Sequence, residues 1–137
     1  MCKNKKAIPP LFFPFYIIVS YLDNYESVTT MDTCATLFKA LSDKNRLRIL
    51  GALLTEEPLC AYHIRAMLNV SGATVSNHMA LLMETGLVQG EKKGRWMLYH
   101  IPEPMKAHPV LIWVASTLEK EPQIGQDRAM VKKVACS

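Results

Sequence analysis

Residues 71–101 have the sequence SGATVSNHMALLMETGLVQGEKKGRWMLYHI, in which the spacing of apolar side chains changes partway along. From Ser71 onward the apolar side chains recur at helical spacing, with Ser71 as the predicted N-cap and Gly86 as the residue that ends the helix. Apolar and polar residues then alternate on both sides of a Lys-Lys-Gly turn, which predicts a hairpin with strands at 87–89 and 95–101. The segment therefore predicts a helix followed at once by a hairpin with a cationic tip.

Three further helices are predicted before this segment, and one after it. All carry apolar residues at helical spacing, and Lys44, Arg46 and Arg48 are expected outside the buried stripe of the second. A turn of about four residues joins the third helix to the one that begins at Ser71, an arrangement typical of a helix-turn-helix. The predicted fold is mainly α with a small β-hairpin, a winged helix-turn-helix. The helices are predicted at 32–41 with Asp32 or Thr33 as cap, at 42–54 with Ser42 as cap, at 59–68, and at 109–120 from Pro109 onward.

Length and composition favour one folded domain. The chain has 137 residues, of which 50% are hydrophobic and 20% charged, which is typical of a globular protein rather than a disordered one. We expect the domain to span 31–121, with a C-terminal tail at 122–137 and an N-terminal extension at 1–30. In the extension, three lysines precede the uncharged run AIPPLFFPFYIIVSYL at 7–22, an outline shared with signal peptides.

Three prolines, Pro9, Pro10 and Pro14, oppose a helix in that run, and no small-residue cleavage site follows it. We therefore expect that translation starts at Met31 or that 1–30 is a disordered arm. An arm that packs on the domain and a membrane anchor are the alternatives. The prediction is a cytoplasmic protein without a membrane partner.

Charge and motifs disfavour several classes of protein. The 16 lysines and arginines exceed the 12 acidic residues and give a formal charge of +4, which is compatible with nucleic-acid binding but also common. The four cysteines form no Cys-x-x-Cys pair, which disfavours a zinc knuckle or a dithiol redox motif. The sequence has no phosphate-binding glycine loop, no Gly-x-Ser-x-Gly elbow and no His-Glu-x-x-His, so we do not expect an enzyme.

The predicted helix and hairpin suit double-stranded DNA. A helix fits the major groove, and residues near its N-terminus reach base edges, where asparagine can pair with adenine. Cations on the hairpin would contact the phosphate backbone or enter the minor groove, adding affinity more than specificity. A winged helix that binds another protein is the alternative, and would require an apolar groove in place of the basic hairpin. The predicted DNA-binding residues are Ser71, Thr74, Ser76, Asn77, His78, Lys92, Lys93 and Arg95.

Four stretches resemble the ArsR/SmtB family of bacterial winged-helix repressors: LFKALSDKNRLRIL at 37–50, Leu-Cys at 59–60, ATVSNHMALLMETGLV at 73–88 and KKGRWMLYHI at 92–101. The resemblance covers residues 31–118. It implies a homodimer, built by the first and last helices, that represses transcription at an inverted-repeat operator and leaves the DNA when an inducer binds. Family members often have Gln-Pro or Gln-Ser where this chain has Gly72-Ala73, so a DNA contact implied by the resemblance is lost.

The resemblance also implies an inducer, often a thiophilic metal or metalloid ion, and no obligatory cofactor. Arsenic-sensing members have a Leu-Cys-Val-Cys-Asp-Leu string, whereas residues 59–64 here are LCAYHI and keep only the first cysteine, Cys60. As(III) and Sb(III) favour three thiolates, for which Cys60, Cys34 and Cys136 are candidates, with the partner subunit able to supply one. His63 lies three residues after Cys60, and a thiol paired with an imidazole suits zinc or cadmium better.

Three other interpretations of these residues stay open. Two thiols could respond to an oxidant or a persulfide by forming a disulfide or polysulfide bridge. A zinc site on the last helix could use His108 and Glu119, although the Asp-x-His start that the resemblance implies for such a site is absent. Cys60 could also be an ordinary small buried side chain.

Overall fold

The computed structural model describes residues 30–134, so most of the predicted extension at 1–30 and Cys136 in the predicted tail lie outside it. Within the described residues, seven helices and three short strands form a mainly α fold with a small sheet, which confirms the predicted fold class. None of these helices is long and apolar enough to cross a membrane. In chain order the elements are α1 (Met31–Leu41), α2 (Lys44–Glu56), β1 (Leu59–Cys60), α3 (Ala61–Leu68), α4 (Gly72–Glu84), β2 (Gln89–Lys93), β3 (Trp96–His100), α5 (Glu103–Lys106), α6 (Pro109–Leu118) and α7 (Pro122–Lys133).

Helix α4 begins and ends where its sequence predicts. The Ser71 hydroxyl accepts a hydrogen bond from the backbone N–H of Thr74 at 3.2 Å and so caps the helix. After α4, Gly86 has a φ of +77°, a left-handed conformation that glycine adopts without steric cost. Asn69 ends α3 with a φ of +54°, so α3 and α4 are joined by a short turn and form the helix-turn-helix.

The caps of the first two helices differ from the predicted ones by one to three positions. Asp43 rather than Ser42 caps α2, and its carboxylate accepts from the backbone N–H of Arg46 at 3.0 Å. Thr30, rather than Asp32 or Thr33, caps α1. In each case several adjacent residues can cap a helix, and the one whose side chain reaches the N–H three residues later does so.

The predicted hairpin is confirmed, with its turn displaced. Strands β2 and β3 pair antiparallel, and Lys93 pairs with Trp96. The turn therefore consists of Gly94 and Arg95 rather than Lys92, Lys93 and Gly94. Gly94 has a φ of +60°, which the first position of such a two-residue turn favours.

A third strand joins the hairpin at a place where the sequence predicted helix. Strand β1 pairs antiparallel with β3, with Leu59 opposite Tyr99 and Cys60 opposite Leu98, so the sheet order is β1-β3-β2. Helix α3 accordingly begins at Ala61 rather than at Leu59. Cys60 is therefore both the last residue of the strand and the residue before the helix.

The core lies between α2, α3, α4 and the sheet, and aliphatic side chains fill it. Its members come from every part of the described chain except the exposed strand β2, which explains why the hairpin projects from the domain. The largest fully buried side chains are Ile49, Leu50, Leu53, Leu59, Ile64, Met79, Leu82, Leu87, Ile101, Leu111, Val75 and Val88.

Helix α7, which the sequence analysis did not predict, packs against α2 and α3. Ile124 and Val131 are buried in this contact, and Asp127 between them is only 2% exposed. A Cβ atom on Gly51 of α2 would lie 3.0 Å from the Ile124 Cδ1 atom, so glycine there permits the close approach. The segment predicted as a tail, 122–137, therefore contributes a helix to the fold.

Arg46 is buried, at 9% exposed, although it was predicted to lie outside the buried stripe of α2. Its guanidinium donates to the carbonyl oxygens of Ala40 and Lys39, at the end of α1. The last carbonyls of a helix have no partner inside it, so these hydrogen bonds satisfy both the buried cation and the helix end.

Candidate nucleic-acid interface and cysteine site

The outward face of α4 is small and polar. Val75, Met79 and Leu82 turn into the core, which leaves the opposite side of the helix to solvent. Ser76 and Asn77 are exposed on that side. The hydroxyls of Ser71 and Thr74 lie 2.9 Å apart and also cap the helix, so two of the predicted DNA-binding residues already serve the start of α4.

His78 differs from the other predicted DNA-binding residues because its ring is directed into the fold. Its Nδ1 atom lies 3.3 Å from Nη1 of Arg46 and 4.0 Å from Oδ1 of Asp43. Burial alone would raise the pKa of Asp43, but the hydrogen bond from the Arg46 N–H and the charges of Arg46 and His78 outweigh it and lower the pKa. His78 therefore belongs to a polar cluster inside the fold.

The hairpin carries its cations in the open. Lys92, Lys93 and Arg95 are all exposed, and no carboxylate forms an ion pair with them among the described residues. The Arg95 guanidinium lies 5.5 Å from the centre of the Trp96 ring, a distance at which a cation–π contact orients the arginine at the tip. The three cations are available to a polyanion.

Arg65 is a further exposed cation on the same part of the fold, and the sequence analysis did not select it. It lines an open cleft of about 380 Å³ with Tyr62, Asn69 and Ser71, where α3 meets the start of α4. The first helix of a helix-turn-helix crosses the DNA backbone, so the position of Arg65 on α3 was the available sequence signal.

Cys60 occupies a buried position where three parts of the fold meet. Its residue closes β1, precedes α3 and is opposite Leu98 of β3. Cys60 is disulfide-bonded, and the other cysteine of the described residues, Cys34, is free and exposed on α1, so the two are not joined to each other. The third candidate, Cys136, lies outside the described residues.

His63 uses both nitrogens of its ring in hydrogen bonds. Nδ1 accepts from the backbone N–H of Cys60 at 3.1 Å, so Nε2 carries the proton that is donated to the Val134 carbonyl oxygen at 2.8 Å. The imidazole thus connects the start of α3 to the residue that follows α7. In this arrangement neither nitrogen faces a metal ion together with the Cys60 sulfur.

Between residues 30 and 134, no group of three or more histidine, cysteine or acidic side chains is arranged to hold a metal ion. His108 and Glu119, the predicted pair for a zinc site, lie at the two ends of α6, where His108 caps the helix by accepting from the Val110 N–H at 3.2 Å. Burial lowers the pKa of His108.

Two helices outside this region expose large apolar side chains. Phe38 on α1 is 62% exposed, and Ile112 and Trp113 on α6 are 50% and 65% exposed. Side chains of this size are normally buried, and clusters of them on a surface indicate a contact with another molecule.

Comparison with known proteins agrees with this arrangement. Residues 43–89 match the family model described as bacterial regulatory protein, arsR family. The chain is 32% identical over 101 residues to the arsenical resistance operon repressor of Escherichia coli K12, a match that covers 72% of this chain and 82% of that protein.

A shorter match has higher identity. The chain is 42% identical over 64 residues to the cadmium resistance transcriptional regulatory protein CadC of Listeria innocua, covering 47% of this chain and 54% of that protein. The chain thus spans about half the length of that regulator.

Among solved structures, the fold is similar to the homodimeric winged helix-turn-helix DNA-binding domain of Mb0332 from Mycobacterium bovis. The TM-score is 0.55 and the sequence identity 26%, with 66% of this chain and 84% of that one covered.

Proposed function

Since the chain belongs to the arsR family of bacterial regulatory proteins, we propose that it is a transcriptional repressor that binds operator DNA as a homodimer and dissociates when a thiophilic metal or metalloid ion binds. The observation that carries the DNA-binding part is the exposed polar face of α4 beside three unpaired hairpin cations.

In the proposed complex, α4 enters the major groove. Asn77 is exposed on its outward face and has the amide that pairs with adenine, and Ser76 is the exposed hydroxyl beside it. Ser71 and Thr74 at the helix start would bind a phosphate, because their backbone N–H groups and the positive end of the helix face the same way.

Cations supply the remaining affinity. Lys92, Lys93 and Arg95 on the hairpin, with Arg65 across the cleft from Ser71, would contact phosphates on both sides of the inserted helix. Contacts of this kind carry little sequence information. The proposal therefore assigns specificity to α4 and most of the salt dependence to these four residues.

The dimer is proposed from the apolar side chains that α1 and α6 expose. Phe38, Ile112 and Trp113 lie on the helices that would pair with a second copy across a twofold axis. Burying them removes a surface that a monomer would otherwise expose to water. A twofold dimer also presents two copies of α4, which is what an inverted-repeat operator requires.

For the inducer we propose thiolate ligands from Cys60, Cys34 and Cys136. The names of the relatives refer to arsenical and cadmium resistance, and both ions prefer sulfur. Val134, whose carbonyl accepts from His63, precedes Cys136 by two residues, a span of at most about 7 Å. Cys34 is exposed on α1, the proposed dimer helix, from which a partner subunit could supply it.

A second candidate signal is an oxidant or a persulfide, and the disulfide at Cys60 favours it. In that case the two thiols lose two electrons and two protons to the oxidant and form a disulfide, or a persulfide sulfur is inserted between them. Reduction would then restore DNA binding. A Cys60–His63 zinc site is less favoured, because both ring nitrogens are already hydrogen-bonded.

The test is a DNA-release titration on the full chain, first reduced, with DNA from upstream of its own gene. Arsenite, antimonite, cadmium, lead, zinc, hydrogen peroxide and a persulfide donor are each added to the wild type and to the Cys34→Ser, Cys60→Ser and Cys136→Ser variants. We expect Cys60→Ser to bind DNA as the wild type does and to resist release by the active inducer.

Two outcomes would contradict the proposal. Absence of any gel shift at low ionic strength would remove the DNA-binding role, and unchanged release of Cys60→Ser would remove Cys60 from the inducer site. Release by peroxide alone, reversed by a thiol reductant, would select the second candidate over the metal.

A further inference from the structure

The C-terminal end of α1 is held by a side chain from the next helix. Arg46, in the first turn of α2, donates from Nε to the Ala40 carbonyl at 2.5 Å and from Nη2 to the Lys39 carbonyl at 3.0 Å. The planar guanidinium fixes the direction of all its donors at once. The orientation of α1 is therefore linked to that of Arg46.

The third donor of the same guanidinium points to α4. Nη1 lies 3.3 Å from Nδ1 of His78, in the middle of that helix, and the Asp43 carboxylate lies 4.0 Å from the same nitrogen. A guanidinium only donates, so Nδ1 accepts. One buried cation thus joins the end of α1 to the middle of α4.

This junction is polar in a place where apolar packing would serve stability at least as well. Arginine is rarely buried, and replacing buried charged groups by apolar ones of similar size is often neutral or stabilising. What directional hydrogen bonds add is a defined relative geometry of the elements that they join.

We propose that Arg46 and His78 are positioning residues that fix the angle between α1 and α4, and thereby the spacing of the two DNA half-sites that the dimer accepts. This inference rests on the proposed function, in which α1 forms the dimer and α4 enters the groove. Across the twofold axis, the angle of α4 relative to α1 sets the separation of the two inserted helices.

The distances involved make the effect measurable. Helix α4 has 13 residues and so is about 20 Å long. A tilt of about 10° moves its end by about 3.4 Å, which is one base-pair step along the duplex. Loss of the junction would therefore relax the preference for one half-site spacing.

The test compares DNA duplexes that differ only in spacing. Inverted half-sites are first obtained by selection with the wild-type protein from a random duplex library, and are then rebuilt with one base pair removed, one added, or one half-site only. His78→Leu keeps the bulk of the side chain and removes the acceptor, and Arg46→Met removes the donors. Lys44→Gln, an exposed cation on the same helix, is the control.

For His78→Leu we expect binding to the single half-site within about twofold of the wild type, and a preference for the selected spacing over the altered spacings that falls by about tenfold. Arg46→Met should act in the same direction, and Lys44→Gln should preserve the preference. A residue that served folding alone would lower the binding of every duplex by the same factor.

If the wild type binds but His78→Leu retains the full spacing preference, the inference is wrong, and this result stands whether or not Arg46→Met folds. A large loss on the single half-site, with the spacing preference kept, would instead make His78 a DNA-contacting residue and also overturn it. Failure of the wild type to bind any duplex would overturn the proposed function itself.

Discussion

The Asp127 carboxylate on α7 and the Arg48 guanidinium on α2 form a two-pronged salt bridge, with distances of 2.7 and 2.9 Å. Asp127 is almost completely buried, and the hydrogen bond to it raises the pKa of Arg48. Arg48 also donates to the carbonyl of Met67 at 3.0 Å, near the end of α3. The pair thus holds α7, α2 and the helix before the turn in one arrangement.

Asp127→Ala should destabilise the fold by about 3 kcal/mol, because it leaves a largely buried arginine without its counter-charge. The double variant Arg48→Met with Asp127→Leu should recover most of that loss, since it removes both charges and keeps the volume. Urea unfolding of the three proteins measures the difference. A loss below about 0.5 kcal/mol for Asp127→Ala would show that the bridge is only a surface pair.

Arg95→Ala should weaken binding to specific and random DNA alike, because an exposed tip cation contacts phosphate rather than bases. The slope of log affinity against log salt should decrease by about one unit. Fluorescence anisotropy over a range of salt concentrations measures both effects. Lys120→Ala removes an equal charge from the loop between α6 and α7 and should have the smaller effect; a loss confined to one operator would contradict the backbone role of Arg95.

Asn77→Ala should reduce affinity for the operator by about 1–3 kcal/mol, since a base-pairing amide is removed from the exposed face of α4. Affinity for random DNA should change little. Competitive gel-shift measurements with operator and random competitor give the two values. Glu84→Ala, at the far end of the same helix, is the control, and an equal loss on both DNAs would argue against base contact by Asn77.

Glu57→Gln should alter how stability depends on pH. Burial alone would raise the pKa of Glu57, but hydrogen bonds from Lys106 and from the Ile101 N–H, at 3.0 Å for the latter, lower it below 4.5. A carboxylate with a lowered pKa stabilises the fold above its ordinary pKa, and that contribution is lost as the pH falls through the lowered value.

The wild type should therefore exceed Glu57→Gln in stability by about 1 kcal/mol at neutral pH, and the two should converge in acid. Thermal unfolding between neutral pH and the acid limit follows the difference. A constant gap at all pH values would indicate that the carboxylate does not titrate differently in the folded chain.

The helix-turn-helix and hairpin were predictable because local chemistry determines them. Ser71 has a capping hydroxyl, Gly86 permits a left-handed conformation, and the switch of period between them changes helix to strand. Each of these signals acts within a few residues. The exposed positions on α4 and the hairpin follow from the same periodicity, so the candidate interface was largely predictable too.

Contacts distant in sequence account for what was missed. Strand β1 has only two residues, and its partner β3 begins at Trp96, so no local alternation could reveal it. In α7 the buried stripe contains Asp127 between Ile124 and Val131, and a charge in that position conceals an apolar face. Only the distant Arg48 makes its burial favourable.

The inward direction of His78 was missed for a similar reason. On a helical wheel it lies at the edge of the polar face of α4, where sequence alone cannot distinguish a DNA contact from an internal one. Its direction is decided by Arg46, which had itself been expected outside the buried stripe and is drawn inward by the end of α1.

Cys60 ends a strand and precedes a helix, and the strand belongs to the same sheet as the hairpin. The groove-inserted helix and the phosphate-gripping arm consequently share a single hinge. Chemistry on that one sulfur would disengage both at once, so dissociation from DNA should proceed as a concerted event, without a lingering species tethered by the arm alone.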